Sequence, residues 1–177
     1  MLLVRPAVPD DVPAMLAVYA EYIGTPVTFE TSLPSEGEFL SRLESVTETY
    51  PWLVCEDSGT VLGYAYAHRL SEREAYSWAA ETSVYVKAGT RGKGVGRALY
   101  TELLDILEGM GVRRAMACVT VPNQESEGFH ASMGFRQVGR FENAGYKDGW
   151  RDVAWLQRDL GGSDAPGPLR PWRNPVP

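Results

Sequence analysis

The 177-residue chain is poor in the residues that staple or metallate small proteins, with only two cysteines and two histidines. Two thiols cannot build a disulfide framework, and Cys55 and Cys118 both sit inside apolar runs. They are therefore expected to be buried thiols in a reducing compartment rather than metal ligands. No apolar run reaches about 18 residues, so no membrane span is expected. The first ten residues carry two prolines and an acid where a signal peptide needs a long apolar stretch. A cytoplasmic protein is the expectation. An excess of basic charge is missing too. The formal net charge is -6, which argues against nucleic acid as a general partner, because phosphate binding needs a basic face. No internal repeat is visible.

What is present describes one ordinary globular domain, 44% hydrophobic and 23% charged. Leu2 to Arg5 reads as a first strand. Asp10 or Asp11 is placed to cap a helix with Pro13 in its first turn, and Val12, Met15, Leu16, Tyr19 and Ile23 give that helix one apolar face. Ser35 and Glu38 have capping-box spacing for a second helix with Phe39, Leu43 and Val46 inward. Trp52–Glu56 and Val61–His68, joined by Asp57-Ser58-Gly59, form a hairpin pattern, and Trp78 to Val86 follows as a strand. A glycine-rich loop leads into a helix carrying Val95, Leu99, Leu103, Leu107 and Met110, stopped by Gly111. Then come a strand at 114–121, a short helix from Pro122-Asn123 to about Met133, a strand near 135–141, a loop, and a last strand near 150–156. This order suits an α+β fold with a mixed, mostly antiparallel sheet and helices on both faces. The expected domain is 1–160. Residues 161–177 are Pro/Gly-rich and read as an irregular tail, which Trp172 can anchor to the body or to a neighbouring subunit.

The strongest chemical signal is Arg91-Gly92-Lys93-Gly94-Val95-Gly96, between a strand and an amphipathic helix. Small residues let the backbone approach an anion, and free N–H groups at a helix start point toward it. Lys87, Arg91, Lys93 and Arg97 supply four cations and no acid intervenes, a local reversal of the overall charge. Neither a Walker A loop nor a dinucleotide-binding fingerprint fits, since no Gly-Lys-Ser/Thr closes the loop and no acid follows at the right spacing.

With Asn123 at the next helix start and Gly134-Phe135 after its end, this loop resembles the pyrophosphate loop of the GNAT acetyltransferase superfamily over residues 2–158. Within it, Tyr50-Pro51-Trp52-Leu53-Val54, Ala75-Tyr76 with Trp78, Glu81-Thr82-Ser83-Val84-Tyr85-Val86, Leu99-Tyr100-Thr101 and Ala144-Gly145-Tyr146-Lys147 with Trp150 and Asp152 resemble the phosphinothricin and methionine sulfoximine/sulfone acetyltransferases. The resemblance implies acetyl-CoA as co-substrate, no metal and a homodimer. It implies that the backbone of Val84, Tyr85 and Val86 pairs with the pantetheine arm, that Asn123 bonds the same arm, and that residues 91–97 (Arg91, Gly92, Lys93, Gly94, Val95, Gly96, Arg97) hold the pyrophosphate. Asn123 serves equally as a helix N-cap; Ser126 either bonds the cofactor or caps locally.

The reaction needs a deprotonated amine, and Glu81 is the candidate base, the role its family counterpart is given. His130 occupies the position where the superfamily often places a Tyr to protonate the leaving thiolate. It can do that, or orient substrate or helix. His68, at a strand end, reads as structural or substrate-lining. For the acceptor, Arg73 can hold a carboxylate or be neutralised by Glu72 and Glu74, and Tyr76, Phe29, Tyr146, Lys147 and Trp150 are candidate pocket-wall or anion-subsite residues. A phosphinothricin- or methionine sulfone-like amine is the expected acceptor. The alternatives are a protein N-terminus, a polyamine, an aminoglycoside, or a non-catalytic acyl-CoA sensor.

Overall fold

The computed structural model describes residues 1–172. Its elements are β1 (Leu3–Pro6), α1 (Val12–Ile23), α2 (Glu36–Thr47), β2 (Trp52–Asp57), β3 (Thr60–Arg69), β4 (Ala79–Val86), α3 (Val95–Met110), β5 (Arg114–Val121), α4 (Gln124–Ser132), β6 (Arg136–Tyr146) and β7 (Trp150–Asp159). One seven-stranded sheet runs β1-β2-β3-β4-β5-β7-β6. Only β4 and β5 pair in parallel; the rest are antiparallel. The fold is the mixed α+β arrangement that the sequence predicts.

Alternation along the central strands divides the interior in two. Leu53 and Cys55 of β2, with Ala65 and Ala67 of β3, pack against Leu99, Leu103 and Leu107 of α3. Their neighbours Trp52, Val54 and Tyr64 face the other way, against Met15, Tyr19 and Tyr22 of α1 and Phe39 and Leu43 of α2. A strand's period of two therefore feeds both cores, and β2 reads as continuously apolar because helices cover both faces.

The caps follow local chemistry, with one exchange of partners. Ser35 Oγ accepts from Glu38 N at 3.2 Å while Glu38 Oε2 accepts from Ser35 N at 2.7 Å, closing the expected box. Asp11 stands at the N-cap of α1 but makes no side-chain cap bond there. Its carboxylate instead accepts two bonds from Arg5, at 2.7 and 2.8 Å, because Arg5 on β1 offers a planar pair of donors. The buried face of α1 includes Tyr22, while Ile23 is only half-buried.

Two further expectations need correction. β6 continues to Tyr146 through the segment expected to be a loop. A register irregularity between Phe141 and Gly145 absorbs that segment, with Asn143 in a left-handed conformation (φ 50°) and its N–H held by Asp152 Oδ1 at 2.8 Å. Cys55 is buried, whereas Cys118 is exposed: it belongs to the face of β5 opposite Ala117 and Val119, which line the α3 core.

Residues 161–172 contain no helix or strand, yet they are docked. Trp78 Nε1 donates to Gly167 O at 2.8 Å, Arg170 N to Met110 O at 2.8 Å, and Trp172 joins the α3 core at 8% exposure. Trp172 thus anchors this segment to its own body.

Candidate active site

The parallel pair at the sheet's centre is short. β4 and β5 are bonded only from Ala79↔Arg114 to Glu81↔Met116, although both strands continue for several residues. Beyond Glu81 they part. Thr82 marks the fork, its hydroxyl donating to Met116 O at 2.9 Å. The opening is lined by two adjoining cavities, of about 350 Å³ and about 70 Å³, that share Val27, Val84, Asn123 and Ser126.

Backbone register decides which strand groups face the gap. Lys87 N donates to Leu62 O, so odd-numbered β4 residues bond to β3 and even-numbered ones point away from it. Val84 therefore presents its amide and carbonyl to the cleft. Val86 points the same way, but Tyr22 Oη donates to its carbonyl at 2.5 Å and accepts from its N–H at 3.1 Å. Tyr85 directs its polar backbone groups to β3. Of the three residues expected to pair with the pantetheine arm, only Val84 is open for it.

The larger cavity runs from Val84 to the glycine loop and includes Arg91, Gly92, Gly96, Arg97, Asn123, Ser126 and Phe129. Gly94 is the N-cap of α3 with φ +85°, a conformation that a side chain would strain. The first helical N–H to find a carbonyl is that of Ala98, on Gly94 O, which leaves the preceding donors for an anion. Arg91 is already paired with Glu125 Oε2 at 3.0 Å and lies 5.7 Å from the Tyr22 ring centroid, so an incoming phosphate competes with a carboxylate. Arg97 reaches Ser132 Oγ at 3.2 Å, and Lys93 is exposed. Asn123 caps α4, accepting from Ser126 N at 3.1 Å. This leaves its amide NH2 for a ligand, so the two readings of Asn123 coexist. The donors, the cations and the open strand edge fit an extended pyrophosphate-bearing thioester.

At the fork, Glu81 shares the α1/α2 face of the sheet with Tyr66 and His68 of β3. Its side chain is 22% exposed, and among the described residues it has no hydrogen bond and a single ion-pair partner, His68 Nε2 at 3.9 Å. Burial pushes its carboxyl above the usual range, and the facing imidazole only partly offsets this. Across the gap, Cys118 belongs to the smaller cavity, and desolvation pushes its thiol up to about 11.

His130 forms part of the smaller cavity's wall, yet it is 4% exposed with both nitrogens engaged. Nδ1 lies 2.8 Å from Ser126 O, an atom that can only accept, so Nδ1 carries a proton. Burial pushes the ring toward neutrality, and Nε2 faces Tyr100 Oη at 3.1 Å, a hydroxyl that itself donates to Thr82 Oγ1 at 3.2 Å. No ring proton is aimed at the cleft. The geometry favours the orienting role of His130 over that of an acid for the thiolate.

The acceptor candidates are not brought together. Arg73 and Tyr76 are exposed and lie outside both cavities, as do Tyr146 and Trp150, whose rings meet edge-on at the β6–β7 tip with centroids 5.5 Å apart. Glu72 does not neutralise Arg73, because it pairs with Arg69 at 2.9 Å. Lys147 requires correction as an anion-binding residue. It is 8% exposed and its Nζ donates to Ile23 O, Thr28 O and Glu30 O at 2.6, 2.9 and 2.7 Å. All three ammonium protons are consumed, so Lys147 pins the loop between α1 and α2. Phe29 of that loop packs its ring against Gly145, where a side chain would collide with it. Sequence reasoning also overlooked Tyr22, Thr25, Val27 and Phe129 as cleft residues. For Tyr22 a signal existed: it falls three residues after Tyr19, on the apolar stripe.

Comparison with known proteins agrees with this geometry. The model of the acetyltransferase (GNAT) domain matches residues 4–155. A phosphinothricin N-acetyltransferase of Streptomyces viridochromogenes is 38% identical over 170 residues, covering 95% of this chain and 93% of the relative. An L-methionine sulfoximine/L-methionine sulfone acetyltransferase of Pseudomonas aeruginosa is 31% identical, covering 89% of this chain and 94% of the relative. The crystal structure of a GNAT-superfamily phosphinothricin acetyltransferase from Sinorhizobium meliloti in complex with acetyl-CoA superposes with a TM-score of 0.87 at 34% identity, covering 99% of this chain and 96% of that one. A forked parallel pair, an anion cradle at the start of α3 and these matches agree: the chain belongs to the GNAT family and is an acetyl-CoA-dependent N-acetyltransferase.

Proposed function

We propose that this enzyme acetylates the α-amine of a small amino acid carrying a tetrahedral phosphinate-, sulfoximine- or sulfone-like side chain, with Glu81 as general base. The observation that carries this reading is the position of Glu81. It stands where β4 and β5 part, half-buried, with no side-chain hydrogen bond among the described residues, and next to the smaller cavity's strand residues. The names of the relatives supply the acceptor class.

The chemistry follows from the amine. An ammonium has no lone pair to attack a carbonyl, and for an amine about two pH units below its pKa, freeing that pair costs roughly 2.7 kcal/mol. Bound acetyl-CoA supplies the activated acyl carbon as a thioester. Val84 and Asn123 would hold its amide arm, while the N–H groups of Gly92 and of residues 94–97, with the Arg91 and Arg97 side chains, would hold its phosphates. Glu81 takes the ammonium proton, and its raised pKa brings it nearer to that of the proton it removes. His130 and Tyr100 act as positioning residues for α4 and the fork. Arg73 is available for the acceptor carboxylate. A homodimer is part of the proposal, supported by the exposed Phe141, Tyr146 and Trp150 on β6–β7, and a single monomeric species in sedimentation velocity would oppose it. So is a cytoplasmic location.

An acceptor panel tests the substrate class. CoA release is followed with L-phosphinothricin, L-methionine sulfoximine, L-methionine sulfone, spermidine, an aminoglycoside and an alanine-terminated peptide. Turnover confined to the first three is expected. Turnover confined to the polyamine, the aminoglycoside or the peptide would overturn the acceptor assignment while leaving the family unchanged.

A further inference from the structure

Glu81 is proposed above as the base, and that reading raises a question the cleft must answer: where its proton goes. A carboxylate that keeps the proton is spent after one turnover. Among the described residues its one ion-pair partner is His68. The two residues are directly cross-strand in the β3–β4 register, on the same face, with Nε2 and Oε2 3.9 Å apart. Exposure rises along the pair, from 22% for the Glu81 side chain to 39% for that of His68.

The tautomer is fixed by the backbone. His68 Nδ1 lies 2.9 Å from Arg69 O, which can only accept, so Nδ1 carries the proton of the neutral ring. Nε2 is then the bare nitrogen, and it is the one that faces Glu81. We infer that His68 is the proton outlet of Glu81, a positioning residue that receives the substrate proton from the carboxyl and releases it to water. The balance is complete. One ammonium N–H bond breaks as an Oε–H bond forms on Glu81; that bond then breaks as Nε2–H forms on His68, the 3.9 Å gap being crossed through one water, and the imidazolium returns that proton to solvent, while the second proton lost by the attacking nitrogen leaves with the thiolate as CoA–SH. No oxidant, metal or second substrate is needed.

The other polar groups around the pair are neutral or already paired. Tyr66 on β3 has its ring centroid 6.0 Å from that of His68, and desolvation holds its hydroxyl neutral. Cys118 on β5 and Tyr100 on α3, which feel the Glu81 charge, are kept neutral the same way. Arg69, the next residue along β3, is occupied by Glu72. No other carboxylate among the described residues pairs with His68.

The test rests on the Glu81 reading and separates its failure from that of the His68 inference. His68→Ala and His68→Gln, both at a partly exposed strand position, are compared with the parent in steady-state turnover on L-phosphinothricin, with and without added imidazole. A fall in kcat of about tenfold is expected for each, a minor share of what a proton-transfer group contributes. Imidazole should restore the His68→Ala enzyme and leave Glu81→Gln inactive. Parent-level kcat in the His68 variants, or a loss that imidazole does not restore, would overturn the outlet role. Parent-level kcat in Glu81→Gln would instead remove the base itself, and the outlet with it.

Discussion

Single residues in this enzyme mean different things according to what their polar atoms are already bound to. Lys147 is the clearest case. In the sequence it stands beside aromatic residues and reads as a cation for an anionic substrate, whereas in the fold its ammonium is capped by three carbonyls of the α1–α2 loop. That loop brings Thr25 and Val27 to the cleft, so Lys147 acts on the site through the loop it holds. Lys147→Met should leave three buried carbonyls short of a donor and cost about 2–4 kcal/mol of stability. It should also raise KM for the acceptor more than it lowers kcat. Chemical denaturation and steady-state kinetics read the two effects, and a KM equal to the parent's would show that the loop does not shape the acceptor site. The two histidines carry the same lesson. His130, where a superfamily tyrosine is expected, has both nitrogens engaged, while His68 turns Nε2 toward Glu81 at 3.9 Å and Nδ1 to Arg69 O. Neither hydrogen-bonding state is written in the local sequence, because each depends on atoms contributed by another element or by the backbone.

At the scale of elements, the loop before α3 is the most legible part of the molecule. Glycine, cation and helix start coincide within seven residues, and the structure shows a left-handed Gly94 as N-cap with unpartnered N–H groups behind it. Gly94→Val should strain this turn by about 1–2 kcal/mol and weaken acetyl-CoA binding roughly tenfold, measured by calorimetric titration, with little change in kcat at saturating cofactor. Unchanged affinity would argue that the loop adapts and is not preformed. The capping box of α2, the apolar stripe of α3 and the bounds of β5 were readable for similar reasons, since each depends on residues three or four apart or on strict alternation. The fork between β4 and β5 was not readable. Ala79–Val86 and Arg114–Val121 are both ordinary strand sequences, and nothing within either says that their pairing stops at Glu81 and Met116. The extension of β6 escaped for the opposite reason: Glu142-Asn143-Ala144-Gly145 has loop chemistry, and a bulge uses that chemistry without ending the strand.

The whole molecule adds two constraints that no element contains. The segment after β7 returns along α3 and seats Trp172 in the same core as Leu103 and Leu107. Trp172→Ala should therefore cost about 3 kcal/mol and lower Tm by roughly 6–12 °C for a domain of this size; a Tm within one degree of the parent would mean that the segment is dispensable. The second constraint is the division of labour across the sheet. The α3 side carries one apolar core and the anion cradle, the α1/α2 side carries the other core with Glu81, Tyr66 and His68, and the gap between β4 and β5 joins the two. A nucleophile bound on one side and a thioester bound along the other can then meet only at the fork, where Glu81 stands.

The most direct measurement of that arrangement is the turnover of Glu81→Gln, saturated with acetyl-CoA and L-phosphinothricin, set beside its calorimetric affinity for acetyl-CoA. The amide keeps the size of the carboxylate but cannot accept the ammonium proton, so kcat should fall by about 10²–10⁴-fold. Cofactor affinity should stay within a factor of two, because the cradle and the Val84 edge are untouched. In the parent, kcat/KM should be lost on acidification through a midpoint above the ordinary carboxylate range, since the base must be ionised and burial raises its pKa. Parent-like turnover in Glu81→Gln would contradict the assignment of the base and move the proton-accepting group elsewhere in the cleft.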